Sequence, residues 1–308
     1  MNALVTGGAG FIGSHLVEAL CSRGFRVTVL DDFSFGSAGN LSHIQGSLEL
    51  IQGSVSDRNL LKKAVHQKDW VFHFAACASV PYSIEQPEIT NETNLNSTLA
   101  LLSESRDAGV KKVIFSSSSS VYGNRADIAR ESDAISPLSP YALQKYASEQ
   151  YVRMFNEFRG LPGTALRYFN VFGPRQSFSS PYSGVIARFC TALINKQRPT
   201  IFGDGSQSRD FVSVHDVVQA NLLAAEMNEA NGRVFNIGTG KTISILELLN
   251  TLTKINGTPV DPDFQPGRVG EIQFSCADIS AARNVLGFKP RVTLEDGLRE
   301  TLDFYRRG

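Results

Sequence analysis

Tyr141 and Lys145 stand four residues apart in Tyr141-Ala142-Leu143-Gln144-Lys145, directly after Ser139-Pro140, a pair suited to starting a helix. On a helix this spacing puts a phenol and an ammonium on one face. A phenol beside a fixed positive charge can act as general base toward a hydroxyl group. The demand is large: a free tyrosine titrates near pH 10, so a phenolate at pH 7 needs a shift of ~3 units, or ~4 kcal/mol. One positive charge about 5 Å away supplies roughly 3 kcal/mol at an effective dielectric near 20. The serine run at residues 116–120 offers hydroxyls that could hold a substrate hydroxyl while the tyrosine takes its proton. Taken alone Tyr-x-x-x-Lys is a weak signal, since a surface tyrosine packed on a lysine stem has the same spacing.

A second constellation opens the chain. Residues 7–13 read Gly7-Gly8-Ala9-Gly10-Phe11-Ile12-Gly13, after an apolar run suited to a strand and before a stretch with helical spacing. Glycines there let the backbone turn tightly and approach a pyrophosphate, which then meets the unpaired N–H groups of the helix. Asp31 closes the next strand-like run, where an acid would hydrogen-bond adenosine ribose hydroxyls and repel a 2′-phosphate. The residues that follow, Asp32, Phe33, Ser34 and Gly36, include no arginine. These positions point to NAD rather than NADP.

These groups need a scaffold. Residues 3–5, 27–30, 48–51, 70–74 and 113–115 are strand candidates, separated by helical stretches at 14–22, 59–65 and 98–106. Continuously apolar strands alternating with helices predict a parallel sheet covered on both faces. In such a sheet ligands meet the carboxyl ends of the strands, and the serine run ends the fifth. Beyond about residue 170 Gly and Pro become frequent and the elements shorten. The expected division is 1–170 for a cofactor unit, with 233–240 returning to it, and 171–308 for a substrate unit.

With 308 residues, 30 Lys+Arg against 30 Asp+Glu and 42% hydrophobic residues, the chain has ordinary globular composition. Zero formal charge leaves no driving force for a nucleic-acid coat or a polybasic membrane binder. No apolar run approaches the ~18 residues of a membrane span, and the first residues lack the pattern of a signal peptide. Cys21, Cys77, Cys190 and Cys276 lie far apart and form no C-x-x-C, so neither zinc nor a disulfide framework is indicated. A cytoplasmic, metal-free protein is expected.

Further motifs join these residues. They are His73-Phe74-Ala75-Ala76, Arg167-Tyr168-Phe169-Asn170-Val171-Phe172-Gly173-Pro174-Arg175, Gly203-Asp204-Gly205-Ser206-Gln207-Ser208-Arg209-Asp210-Phe211 and Arg268-Val269-Gly270-Glu271. Together the chain resembles, essentially end to end, the extended short-chain dehydrogenase/reductase family, and within it the UDP-hexose and UDP-N-acetylhexosamine 4-epimerases. The resemblance implies a Rossmann-like doubly wound parallel α/β sheet with a smaller C-terminal α/β domain for a UDP-sugar. It implies Ser118, Tyr141 and Lys145 as the catalytic set. Around NAD it places Gly7, Gly10, Phe11, Ile12, Gly13, Asp31, Asp32, Phe33, Ser34, Gly36, Ser54, Val55, Phe74, Ala75, Ala76, Ala78, Asn94, Ser116 and Phe169, besides Tyr141 and Lys145. Around the substrate it places Ser79, Ser118, Asn170, Val185, Thr200, Phe202, Arg209, Arg268, Glu271 and Ser275. A homodimer is implied too, paired through helices near 94–106 and 141–158.

Three positions depart from the commonest pattern. Ser54 stands where many relatives have an adenine-binding Asp, Ala78 where the plain-hexose branch has Lys, and Glu271 where Asp is more usual. The small side chain of Ser275, where relatives restricted to plain hexoses often carry Tyr, favours UDP-GlcNAc/UDP-GalNAc while leaving room for UDP-glucose/UDP-galactose. A 4,6-dehydratase or decarboxylase is the alternative within the family, though those enzymes usually carry an acid in the serine-run region. A non-catalytic NAD-sensing protein is a remoter one, since such proteins typically lose the Tyr or the Lys.

Overall fold

The computed structural model describes residues 1–177, 184–267 and 272–307. Its central sheet has seven strands: β1 (Asn2–Thr6), β2 (Arg26–Asp31), β3 (Leu48–Gln52), β4 (Trp70–His73), β5 (Lys112–Ser118), β6 (Gly163–Tyr168) and β7 (Val234–Ile237). Their order is β7-β6-β5-β4-β1-β2-β3, and every pairing is parallel. The chain reverses its direction of growth between β1 and β4, which opens the crevice where such sheets bind ligands.

Alternate residues of the apolar strands feed two cores, one on each face. Ala3, Val5, Val27, Val29, Phe72, Ile114 and Leu166 enter the first, packed against Leu16, Val17 and Leu20 of α1 (Phe11–Ser22). Leu4, Leu30, Val71, Val113, Phe115 and Ala165 enter the second. There they meet α2 (Arg58–Val65), α3 (Ser97–Asp107) and α4 (Pro140–Arg159). The period of two in a strand puts neighbours on opposite faces, so runs apolar at every position are covered twice.

A third core lies in the C-terminal part, among α5 (Val185–Ile194), α7 (Ile245–Asn256) and α8 (Leu294–Arg307). Between α5 and α7 lies α6 (Val214–Glu226), whose Val217 and Ala220 belong to the first core, as do Leu286 and Phe288. A cut at residue 170 therefore does not separate the cores: α6, β7 and residues 286–288 return to the central sheet. Short strands complete this part. Asn170–Phe172 pairs with Phe211–Ser213, Thr200–Phe202 with Asp263–Gln265, and Ser208–Arg209 lies between Ile243–Ser244 and Phe274–Ser275.

Two helices matter most for the site. Ser139 caps α4 by accepting the Ala142 N–H, Pro140 opens the helix, and Gly160, with φ 65°, ends it in the left-handed region. α3 is reached through Pro87–Asn91 and a π-helical turn at Glu92–Asn96. Such turns inside helices often mark functional positions, and this one buries Asn94. Among the described residues no helix is long and apolar enough to cross a membrane, and no group of His, Cys, Asp or Glu could hold a metal ion.

Candidate active site

The glycine loop meets the crevice at the end of β1. Gly7 has φ +68°, and a Cβ on it would lie 2.6 Å from the Ala75 nitrogen, so only glycine fits between the ends of β1 and β4. A Cβ on Gly13 would lie 2.2 Å from the Gly7 carbonyl oxygen, which is why α1 can pack so close to the turn. Gly10 is the N-cap of α1 and brings no side chain to the helix terminus, while Phe11 and Ile12 begin the helix. Gly7, Gly10, Asp31, Asp32, Ser34, Gly36, Val55, Phe74, Ala75 and Ala76 line one cleft. Cys77 lines it as well, as do Gly53 and Thr93, two residues the sequence reading did not single out. Gly53 directly follows β3, so the rule that ligands meet strand ends could have found it; Thr93 comes in through the π turn, which no sequence period announces.

Asp31 does more than face the cleft. Its Oδ2 accepts the Ala9 N–H at 2.8 Å and its Oδ1 the Phe33 N–H at 2.8 Å, clamping the glycine loop to the end of β2. A carboxylate offers about four lone-pair sites, so capacity for ribose hydroxyls remains. Burial pushes its carboxyl up and the two N–H bonds pull it back. Phe33 sits at φ 59°, and Asp32 accepts from the Ser34 N–H and hydroxyl at the exposed rim. Ser54 spends one lone pair on the Ser56 N–H at 3.2 Å. Ala78 is exposed, and Phe169 is buried against Tyr122 with ring centroids 6.4 Å apart. Asn94 Oδ1 accepts the Cys77 N–H at 2.8 Å while its amide donates to Gln144 Oε1 at 2.8 Å, tying the cofactor loop to α4.

Lys145 and Tyr141 face the end of β5 as the spacing predicts. Lys145 is 3% exposed; its Nζ donates to the Ser116 carbonyl at 2.7 Å and lies 5.9 Å from the Tyr141 ring centroid. Burial pulls its ammonium down to about 8, with Glu149 and then Cys77 pulling it back up. The half-buried Tyr141 opens α4 over the end of β5. Burial pushes its phenol above the ordinary tyrosine value, and the nearby Ser118 hydroxyl pulls the other way without offsetting it. The lowering expected from Lys145 does not register in the free chain, where desolvation of the phenolate prevails. Ser118 ends β5, where its Oγ also accepts the Ser120 N–H at 3.2 Å.

The expected substrate residues are carried by separate elements. Ser79 is buried and caps Val80–Glu85 by accepting the Tyr82 N–H. Asn170 donates its amide to the Asp210 carbonyl at 3.1 Å, Val185 opens α5, and Thr200 and Phe202 bound one short strand. Arg209 and Ser275 are register partners in adjacent short strands. Ser275 lines a second cleft with Ser119, Phe169 and Arg125. Arg268 and Glu271 lie outside the described residues. A larger cleft between α1 and α8 holds none of these groups.

A sequence profile of the NAD dependent epimerase/dehydratase family matches residues 3–238. A UDP-glucose 4-epimerase of Mycolicibacterium smegmatis is 39% identical over 311 residues, covering 99% of each chain. A UDP-N-acetyl-alpha-D-glucosaminuronate decarboxylase of Bacillus cytotoxicus is 36% identical over 315 residues, covering 98% of this chain and 97% of the relative. Among solved structures, a UDP-N-acetylglucosamine 4-epimerase from Methanobrevibacter ruminantium M1, in complex with UDP-N-acetylmuramic acid, superposes with a TM-score of 0.95 at 42% identity. That match covers 99% of this chain and 97% of the other. The turn that only glycine fits at the end of β1, the acid that closes β2 and likeness along the whole length agree: the chain belongs to the NAD dependent epimerase/dehydratase family, and its cofactor is NAD.

Proposed function

We propose that the protein is a UDP-sugar 4-epimerase that keeps NAD through the whole cycle and interconverts UDP-GlcNAc with UDP-GalNAc, accepting UDP-glucose and UDP-galactose as well. The observation that carries this reading is the buried Lys145 ammonium, bonded to the Ser116 carbonyl and 5.9 Å from the Tyr141 ring centroid, with Ser118 ending the same strand. When bound, NAD accepts and returns the C4 hydride and adds a positive charge beside Tyr141. Tyr141 takes the C4 hydroxyl proton with Ser118 bridging, holds it, and returns it to the C4 oxygen once the turned 4-keto sugar has regained hydride on its other face. The sugar must turn between these steps, so the grip belongs on the nucleotide. Arg209 and Asn170 are assigned to the diphosphate side, and Arg268, Glu271, Thr200 and Phe202 to uridine. Arginine suits a diphosphate because its planar fork offers paired donors.

The relative in Bacillus cytotoxicus favours a second reading, a decarboxylase. Against it, residues 116–120 carry hydroxyls and no acid. The experiment is incubation of purified protein with all four UDP-sugars and with UDP-N-acetylglucosaminuronic acid, with no NAD added. Both epimer pairs are expected to interconvert. Ser275→Tyr, which fills the cleft beside Phe169, is expected to cut the N-acetylated rate by about ten-fold or more and to spare the plain hexoses, as for steric exclusion of a group from a shaped pocket. Turnover of plain hexoses alone, strict need for added NADP, or CO2 release from the uronic acid would each overturn the reading.

A homodimer is part of the proposal. Ile84, Ile89, Leu143 and Phe158 are 61%, 51%, 57% and 71% exposed on the helices flanking the site, a density of bare apolar side chains that suits a helical interface. Light scattering at micromolar concentration is expected to give twice the mass of the chain, and a monomer would contradict it. Four buried, free cysteines suit a reducing compartment, so the cytoplasm is the proposed location.

A further inference from the structure

Behind the catalytic residues lies a buried polar network. Glu149, four residues after Lys145 on α4, is 4% exposed; Arg167 on β6 and Ser117 on β5 are 2% and 3% exposed. Arg167 donates Nε to Glu149 Oε1 at 2.9 Å and Nη2 to Oε2 at 2.7 Å, a two-pronged pairing. The Ser117 hydroxyl donates to the same Oε1. Arg167 Nη1 continues to the Tyr122 hydroxyl at 2.8 Å, which donates to Asn236 Oδ1 at 2.6 Å. One carboxylate thus joins the catalytic helix to β6 and to β5, the strand whose end carries the serines.

Stability alone is a poor reason to bury this pair. Desolvating two charges costs about as much as their attraction returns, and apolar replacements of similar volume are often no worse. The location is more informative. Ser117 adjoins Ser118, and Ser116, whose carbonyl takes the Lys145 ammonium, is the residue before. At four residues' separation on a helix, Glu149 and Lys145 have Cβ atoms ~6 Å apart.

We propose that Glu149 is a positioning residue of the reaction: it registers α4 against β5 and β6, and it is the counter-ion that keeps Lys145 charged beside Tyr141. This rests on the reading of Tyr141 as the base. The other groups acting on Lys145 are few. Tyr141 shares its helix, the Phe115 ring lies 4.9 Å from Nζ on β5, Cys77 acts from the loop after β4, and His73 on β4 is held neutral by burial and by Lys145 itself. Burial works against the ammonium and Glu149 is the largest influence opposing it. Arg167 is the clamp that holds the carboxylate in place.

The test follows the Lys145 Cε carbon by NMR in protein carrying labelled lysine, assigned with Lys145→Met, alongside the pH dependence of kcat/KM. Glu149→Gln is expected to lower the Lys145 midpoint by about one unit, so that the alkaline fall of kcat/KM begins one unit earlier and the rate drops about ten-fold at alkaline pH against about two-fold at neutral pH. Because Glu149→Gln leaves the Arg167 charge buried alone, Glu149→Gln/Arg167→Gln is run beside it and is expected to show the same shift with better folding. Ser117→Ala, which keeps the charge, is expected to lower the melting temperature and leave the Lys145 midpoint in place. An unchanged midpoint in the folded double variant overturns the proposal. The NMR reading stands without turnover, so a chain with no epimerase activity but a shifted midpoint would remove the functional reading and keep the electrostatic one.

Discussion

Tyr141→Phe is expected to lower kcat for epimerisation by about 10²–10⁴-fold, the range for loss of a general acid–base group, while the protein still carries NAD and binds UDP. The phenol oxygen is the group that moves the proton, and the variant lacks it. The ring stays, so packing at the start of α4 is preserved. Stopped assays over a range of substrate give kcat and KM separately, and calorimetry with UDP gives the binding constant. A fall in kcat with little change in UDP affinity is the signature of an interaction made in the reaction rather than in binding. Turnover within a few-fold of wild type would remove Tyr141 as the base.

Lys145→Met follows in size. Replacing the ammonium by an apolar chain of similar length removes roughly 3 kcal/mol of phenolate stabilisation at about 5 Å, or ~10²-fold in rate at neutral pH. The sign of the pH effect is definite. Burial pulls Lys145 down to about 8, so in the free enzyme the ammonium is present below that pH and lost above it. The wild-type kcat/KM, which reports groups of the free enzyme, is expected to fall on the alkaline side as Lys145 loses its proton. In Lys145→Met that fall disappears, and the rate rises with pH as the tyrosine ionises without help. A Lys145→Met variant with a wild-type alkaline limb would assign that limb to another group.

Local sequence was enough for much of this. Strand positions apolar at every residue can be satisfied only when both faces are covered, so the parallel sheet was legible from residues 3–5 and 113–115, and from 27–30 where Thr28 alone is polar. The glycine loop was legible because its residue types answer a backbone demand: Gly7 at positive φ and Gly13 against the Gly7 carbonyl leave no alternative. The phenol and ammonium on one face of α4 followed from helical spacing and from Ser139-Pro140 as its start.

Other features belong to contacts between distant segments and have no local signature. Asp31 was legible as a ribose acid, but its bond to the Ala9 N–H of the glycine loop arises only when β1 and β2 pair. Thr93 reaches the cleft, and Asn94 the Cys77 backbone beside it, through a π turn that packs against α4. The phenol of Tyr141 is pushed up rather than down in the free chain, because desolvation depends on everything that packs around it and a motif records none of that. Glu149, Arg167 and Ser117 read as three unrelated polar residues along the chain. Only the sheet order, which lays β6 beside β5 beneath α4, gathers them on one carboxylate behind Lys145.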